Sequence, residues 1–302
     1  MSIPMWFNNR APGQFEASAE AHNGAVDARH PVTFPPGLLK IFGTVSVETG
    51  GDRLFTKRFD TKYLFRSAML ERILAVLPAD YHIAACGGRL VQHYESVYFD
   101  DSDLTCYQDH QRGKLPRRKI RFRRYLDSGN AFLEIKRKTN QRITNKWRRP
   151  VPPEQVAALT LEPADLDFIH ERIVDCRDRL DPRILASFYR LTLKSIDTGE
   201  RVTLDTNVTV TDPLTGAIRN LDGFTIAEVK QARISRQSPF RCLMRDAAVR
   251  PASFSKYCLG IYSFYPRERH NRLKRNYRFL REASGPGTPS IHPSPVFPAM
   301  PN

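Results

Sequence analysis

Basic and apolar side chains alternate with a period of two through the middle of this chain, segment after segment. In 119–125 (KIRFRRY), Lys119, Arg121, Arg123 and Tyr125 share one face of a strand, and Ile120 and Phe122 the other. Successive strand side chains point to opposite faces, with same-face neighbours roughly 6.8 Å apart. The pattern recurs in 131–138: Phe132, Glu134, Lys136 and Lys138 oppose Leu133 and Ile135. In the next segments Lys146 and Arg148 oppose Trp147, and Arg190, Thr192 and Lys194 oppose Leu191 and Leu193. Arg201, Thr203 and Asp205 oppose Val202 and Leu204, and Glu228 and Lys230 oppose Ala227 and Val229. A helical period would scatter these charges, so the pattern demands a sheet with one cationic and one apolar face.

Strands are expected at 53–65, 93–99, 119–126, 131–138, 144–151, 186–195, 200–211 and 224–231. Ser67 is placed to cap a helix that runs to Pro78 and carries Met69, Leu70, Ile73, Leu74 and Leu77 at helical spacing. A helical region is expected at about 153–180 and a helix around 239–249, followed by a last segment at 253–264. The proline-bearing residues 1–51 read as a disordered arm, and 284–302 as a disordered Pro-rich tail. One domain is expected over 52–266, with a basic helix or tail at 267–283.

Charge narrows the function. The 302 residues hold 47 Lys and Arg against 32 Asp and Glu, a net charge of +15. Such an excess implies an anionic partner: nucleic acid, a membrane surface or a phosphate-rich small molecule. Cys86, Cys106, Cys176, Cys242 and Cys258 are scattered and form no C-x-x-C pair, which argues against a zinc site or a disulfide framework. The histidines show no H-E-x-x-H spacing. No run of about 18 apolar residues and no signal-peptide layout is present, so a cytoplasmic protein is expected.

A solvated sheet face over a core would also alternate. Two features favour an enclosed surface: arginine dominates the polar face, and the strands are many for an open sheet. The expected fold class is α+β, an antiparallel β-barrel tunnel with flanking helices on its apolar outside. A filling polyanion would relieve the cost of enclosing so many cations, through arginine forks and lysine point charges on phosphate oxygens. Few carboxylates stand among them. Glu228, Glu134 and Asp205 are the candidates to hold a Mg²⁺ or Mn²⁺ that bridges phosphates, since one or two protein carboxylates suffice when phosphate and water complete the shell. Each could equally pair with a neighbouring lysine.

Nine short motifs add a resemblance. R-x-D-x-K-Y at 58–63, Y-F-D at 98–100, K-I-R-F-R-R-Y at 119–125, L-E-I-K at 133–136, K-W-R at 146–148, F-Y-R at 188–190, R-V-T-L-D-T at 201–206, A-E-V-K at 227–230 and F-S-K-Y at 254–257 occur in the order of the VTC domain. That is the polyphosphate polymerase domain of vacuolar transporter chaperone complexes, of the triphosphate tunnel metalloenzyme superfamily. The resemblance covers about 52–262. It implies a tunnel that binds ATP phosphates and growing polyphosphate with Mn²⁺ or Mg²⁺. Lys62, Arg121, Arg123, Lys136, Lys146, Arg190, Arg201 and Lys256 match its phosphate-binding basic positions. Glu228 matches its metal-binding glutamate, and Ser255 a serine that holds incoming phosphate beside the last lysine. Lys256, Arg123 and Arg190 are the expected catalytic residues.

Hydrolases of that superfamily usually open with E-x-E-x-K, where this chain reads Arg58, Asp60 and Lys62. Arginine for the first glutamate removes a metal ligand and favours the polymerase branch. Asp60 stands where that branch usually has the longer Glu. The expected function is transfer of the ATP γ-phosphate to the end of a polyphosphate chain. Hydrolysis of triphosphate or polyphosphate in the same tunnel is the alternative, as is a non-catalytic polyphosphate- or nucleic-acid-binding module. No specific nucleic acid is expected as partner. The arginine-rich run 267–281 could touch an anionic membrane surface or the emerging polymer, or form a solvated helix.

Overall fold

Both faces of the alternating strands find the surroundings that their chemistry requires. The structure is a computed structural model that describes residues 34–47, residues 59–265 except 142, 174, 178, 222 and 254, and residue 268. Its strands are β1 (Thr44–Ser46), β2 (Phe59–Arg66), β3 (Tyr81–Ala85), β4 (Val91–Asp100), β5 (Arg117–Tyr125), β6 (Ala131–Lys138), β7 (Thr144–Pro150), β8 (Asp181–Ser195), β9 (Arg201–Thr211), β10 (Ile218–Asn220) and β11 (Phe224–Gln231). Its helices are α1 (Pro36–Leu39), α2 (Leu70–Val76), α3 (Thr105–Arg112), α4 (Pro153–Ala158), α5 (Pro163–His170), α6 (Pro239–Asp246) and α7 (Lys256–Phe264).

The sheet runs β2-β11-β9-β8-β4-β5-β6-β7, antiparallel at every step. All eight of these strands contribute to the wall of one cavity, so the sheet is curled around it. The fold is α+β, as expected. Among the described residues no ladder joins β7 to β2, so the expected barrel is realised as a curled sheet with those strands at its margins.

Helices cover the outside in two groups. Tyr63, Phe65, Leu191, Leu193, Val202, Leu204, Ala227 and Val229 are buried under Leu70, Ile73 and Leu74 of α2 and Phe240 and Met244 of α6. Val97, Phe99, Ile120, Phe122, Leu133 and Ile135 are buried with Val156 and Ile169 of α4 and α5. These strand residues are the apolar half of the alternation. Burying each large side chain is worth about 1.5–3 kcal/mol, which is what commits the charged half to the inside.

The segment 253–264 is not another wall. Its residues Lys256–Phe264 form α7, which packs inside the curl. Tyr257, Cys258, Leu259 and Ile261 form a third core with Leu64, Tyr98, Ile184, Ala186, Phe188 and Ile226. On β8, Ile184, Ala186 and Phe188 share the inner face with Arg190, Thr192 and Lys194. One face of one strand thus meets α7 along its first half and the ionic cavity along its second. Gly260 makes the fit: a Cβ there would lie 2.5 Å from Ile184 Cγ2.

Other expectations are corrected locally. Ser67 does not cap α2; it starts a 3-10 turn (Ser67–Met69), and its hydroxyl pairs with Thr225 Oγ1 at 3.0 Å. The region 153–180 contains two short helices rather than one long one, because Leu159 adopts a left-handed φ of 58° and ends α4. Part of the arm expected over 1–51 is ordered. Residues 34–46 include α1 and β1, and Phe34, Leu39 and Phe42 are buried against the α2 core. The remainder of that arm, Arg58, the run 267–281 apart from residue 268, and the tail 284–302 lie outside the described residues.

Candidate active site: a cation-lined cavity

The curled sheet encloses about 600 Å³. Twelve lysines and arginines line it against four acids, Asp60, Glu134, Asp205 and Glu228. Strand pairing explains how so many cations converge. Ladder partners lie side by side on one face, and the register sets Lys119 opposite Lys136, and Lys136 opposite Lys146. Farther round, Lys194 is opposite Arg201, and Arg201 is opposite Lys230. Like charges in register repel, so this arrangement is suited to a polyanion rather than to an empty cavity.

Every residue singled out from the sequence as a site residue lies on this wall: Lys62, Arg121, Arg123, Lys136, Lys146, Arg190, Arg201, Glu228, Ser255 and Lys256. Asp60, Glu134 and Asp205 join them, as do Arg148, Lys194 and Lys230. The sequence reading did not place Lys119 in the site. It lines the cavity beside α7, and its Nζ donates to Ser255 Oγ at 2.7 Å. Its position in the K-I-R-F-R alternation was the available signal.

Three of the four acids, Asp205, Glu134 and Glu228, act as internal counter-charges. Arg190 donates through Nε and Nη2 to Asp205 Oδ1 and Oδ2, at 2.6 and 2.8 Å. Lys256 Nζ donates to the same Oδ2. Arg121 Nε and Nη2 both donate to Glu134 Oε2, at 2.8 and 2.5 Å. Glu228 sits 3.6 Å from Lys62 and 3.3 Å from Lys230. Burial alone would raise these three carboxyls, but the surrounding cations outweigh it. Glu134 is held at about 2, chiefly by Arg121 and Arg123. Arg190 and Lys256 hold Asp205, and Lys62, Lys230 and Lys136 hold Glu228, well below the usual carboxylate range. All three are firmly ionised at neutral pH.

The cations answer to the same enclosure. Burial lowers Lys119 and Lys256, and brings Arg201 down to about 10. Lys136 faces the cavity, and its enclosure, with Lys62 beside it, draws its ammonium down to about 7. Arg123 Nε is buried and makes no hydrogen bond. Its nearest carboxylate oxygen is Glu134 Oε2, at 3.8 Å, beyond hydrogen-bond reach.

Aromatic rings fix the arginines. The Tyr94 ring lies under both Arg123 and Arg190, with centroid distances of 5.3 and 5.1 Å. Lys256 Nζ sits 3.9 Å from the Phe188 centroid. Tyr98 stacks on Tyr257 at 5.4 Å and accepts a long hydrogen bond from Arg121 Nη1, 3.4 Å. Burial would raise the Tyr98 phenol, but Arg121, Arg123, Lys256 and Lys119 together pull it down to about 8. The alternation of β4 puts Gln92, Tyr94 and Tyr98 on the cavity side, a signal that an ordinary reading of strand aromatics as wall residues passes over.

The Y-F-D motif has a structural task. Asp100 accepts from the backbone N–H groups of Cys106 and Tyr107 at 2.9 and 3.0 Å, at the start of α3. It also accepts from the Tyr257 hydroxyl. One buried carboxylate thereby ties β4, α3 and α7 together, next to Lys256.

A divalent cation fits this wall only in company with phosphate. Among the described residues no three of His, Cys, Asp and Glu converge as a metal site. Asp205 and Glu134 are already engaged by two cations and by an arginine. Glu228, itself ion-paired with Lys62 and Lys230, and Asp60 lie on adjacent strands and the same face, in the diagonal register set by the pairs Glu228–Lys62 and Lys230–Asp60. Two carboxylates suit a Mg²⁺ or Mn²⁺ whose other ligands are phosphate oxygens and water.

The VTC domain family model matches residues 57–265. No curated protein matches the chain. Among solved structures, a putative adenylate cyclase of Bacillus halodurans is 12% identical with a TM-score of 0.45, over 68% of this chain and 96% of that one. A putative adenylyl cyclase of Hippeastrum, described as having a dominant triphosphatase activity, is 12% identical with a TM-score of 0.42, over 71% and 100%. A Pyrococcus horikoshii protein is 11% identical with a TM-score of 0.40, over 68% and 99%. Among the described residues no helix is long and apolar enough to cross a membrane.

Proposed function

The chain belongs to the VTC domain family, and from that premise we propose that it is an ATP-dependent polyphosphate polymerase. The observation that carries this reading is the engagement of the carboxylates: Asp205 accepts from Arg190 and Lys256, Glu134 from Arg121, and Glu228 is ion-paired with Lys62 and Lys230. A general base works best with a pKa near the operating pH. Asp205, Glu134 and Glu228 are all held far below it by their cations, which makes them poor groups for activating water. Transfer to a terminal phosphate needs no base, because the attacking oxygen is already ionised. What it needs is positioning and charge neutralisation, which this wall supplies.

In the step itself, a terminal oxygen of the polyphosphate forms a bond to the γ-phosphorus of ATP. The bond from that phosphorus to the β–γ bridging oxygen breaks, and ADP leaves with the electron pair. Arg121, Arg123, Arg190 and Arg201 grip non-bridging oxygens, with Lys62, Lys136 and Lys146 along the path. Lys256 and Ser255, at the start of α7, hold the transferring group or the acceptor end. Glu228 and Asp60 would hold a Mg²⁺ or Mn²⁺, which would supply further neutralisation of phosphate charge.

The test is incubation with ATP, Mn²⁺ or Mg²⁺ and a short polyphosphate primer, followed by ³¹P NMR. ADP with a growing internal-phosphate signal supports the polymerase. Free phosphate without chain growth would move the protein to the hydrolase alternative. Tight polyphosphate binding without turnover would leave a binding module. Arg123→Ala and Lys256→Ala are expected to abolish synthesis while the fold persists.

A further inference from the structure

An exposed arginine loop follows the strand that ends at the cavity rim. The α7 side of the cavity is filled by Tyr257, Leu259 and Ile261. The opposite side is rimmed by Asp60, Lys230, Arg201 and Lys194, which are successive partners across the sheet. β11 ends at that rim. The six residues that follow, 232–237, read A-R-I-S-R-Q and include no acid; Arg233 and Arg236 are exposed, and Ile234 is 54% exposed.

This loop is anchored at both ends by one carboxylate. Gln231 Nε2 donates to Glu200 Oε2 at 2.6 Å, and Ser238 Oγ donates to Glu200 Oε1 at 2.9 Å. Glu200 is buried and immediately precedes Arg201 of the rim. From α6, Arg241 Nη1 reaches Gln231 Oε1 and Thr61 Oγ1, both at 3.4 Å, which ties the far side of the loop to β2. The loop spans at most ~3.3–3.6 Å per residue, so Arg233 stays within about 11 Å of Lys230. The two exposed arginines are therefore held beside the mouth by buried contacts.

We propose that the 232–237 loop is an external subsite for polyphosphate chains that extend beyond the cavity, and that it distinguishes long chains from tripolyphosphate. The assignment rests on the polyphosphate reading of the cavity and extends it to chain length. Continuity with the cationic rim favours a polyphosphate over a nucleic acid or a lipid surface: a chain leaving Arg201 and Lys230 meets Arg233 and then Arg236 without crossing an acidic residue of the loop. Neither arginine belongs to the cavity wall, so both can be changed without touching the catalytic machinery.

The experiment compares wild type with Arg233→Gln/Arg236→Gln, using tripolyphosphate and a long-chain inorganic polyphosphate as probes. Removing two exposed charge contacts predicts a loss of about three- to thirtyfold in long-chain affinity. Tripolyphosphate affinity is expected to stay within about twofold, and it reports that the variant is folded. Long-chain affinity is also expected to depend less steeply on salt in the variant. Equal loss for both probes, or loss for neither, overturns the subsite. If wild type binds neither probe, the polyphosphate reading of the cavity fails, and the subsite with it. If wild type binds tripolyphosphate but the double variant loses only DNA or anionic-vesicle binding, the loop serves that partner and the subsite is overturned while the cavity reading stands.

Discussion

Asp205 holds Arg190 by two hydrogen bonds of 2.6 and 2.8 Å, and Lys256 of α7 donates to the same carboxylate. The two cations come from elements far apart in sequence, and Asp205 sets where both can go. It also supplies a negative charge where a phosphate would otherwise be. Asp205 thus neutralises two cations of the wall, a task that a substrate oxyanion can share.

Asp205→Asn should separate these roles. Breaking a buried ion pair from one side costs about 3–5 kcal/mol, because the partner charges remain enclosed. The ligand-free variant is expected to melt below wild type. Bound tripolyphosphate restores negative charge to Arg190 and Lys256, so it should raise the melting temperature by more in the variant than in wild type. Thermal melts with and without tripolyphosphate check this. A smaller ligand-induced rise in the variant would show that Asp205 supports binding only by positioning.

Gly260→Ala tests the seat of α7. The added methyl would lie 2.5, 2.7 and 2.8 Å from Ile184 Cγ2, Cδ1 and Cγ1, and Ile184 is fully buried. Overpacking of this kind costs about 1–3 kcal/mol, more than the roughly 1 kcal/mol gained in helix propensity. Shifting α7 also moves Lys256, so turnover should fall further than stability alone explains. Ile184→Ala added to Gly260→Ala should recover activity. A single variant with wild-type turnover would mean that α7 does not set the position of Lys256.

Asp100→Asn addresses the same helix from β4. The amide offers donors where Cys106 N–H, Tyr107 N–H and the Tyr257 hydroxyl already donate. Each donor left without an acceptor costs about 1–3 kcal/mol. A lower urea midpoint and lower turnover are expected, with Tyr257→Phe milder because it removes only the link to α7. An unchanged midpoint in Asp100→Asn would contradict the account.

The wall was legible in the sequence because strand alternation is a local property. Lys119, Arg121 and Arg123 declare their face through Ile120 and Phe122 alone, and the ladders place them where that alternation points. What lay hidden was set by distant partners. Ile184, Ala186 and Phe188 share a face with Arg190 yet are apolar, because α7 fills that part of the interior. Nothing within 253–264 says that it packs inside the curl rather than joining it. Likewise, Ser67 looks like a helix cap until Thr225, a residue of β11, comes within 3.0 Å. Ion pairing inside the cavity was hidden for the same reason: Asp205 and Lys256 are separated by 51 positions.

Tyr98 gives the site a spectroscopic handle. Arg121, Arg123, Lys256 and Lys119 overcome the effect of burial and bring its phenol down to about 8. Burial pushes Tyr81, Tyr94, Tyr107 and Tyr257 the other way, so Tyr98 is set apart from them. In the unfolded chain its pKa returns to 10.0. Between these values the unfolded chain keeps a proton that the folded protein has lost, so stability from this group rises with pH there. That contribution is complete above the unfolded value and is lost as pH falls through about 8. A bound polyanion neutralises the same four cations, raises the phenol again and takes up a proton, so tripolyphosphate should bind less tightly as pH rises past about 8. Titration of tyrosinate absorbance in the near ultraviolet is expected to show one early step in wild type. Tripolyphosphate should move that step upward, and Tyr98→Phe should abolish it. If the Tyr98→Phe and wild-type titrations superimpose, the four cations do not converge on the phenol as the structure has them.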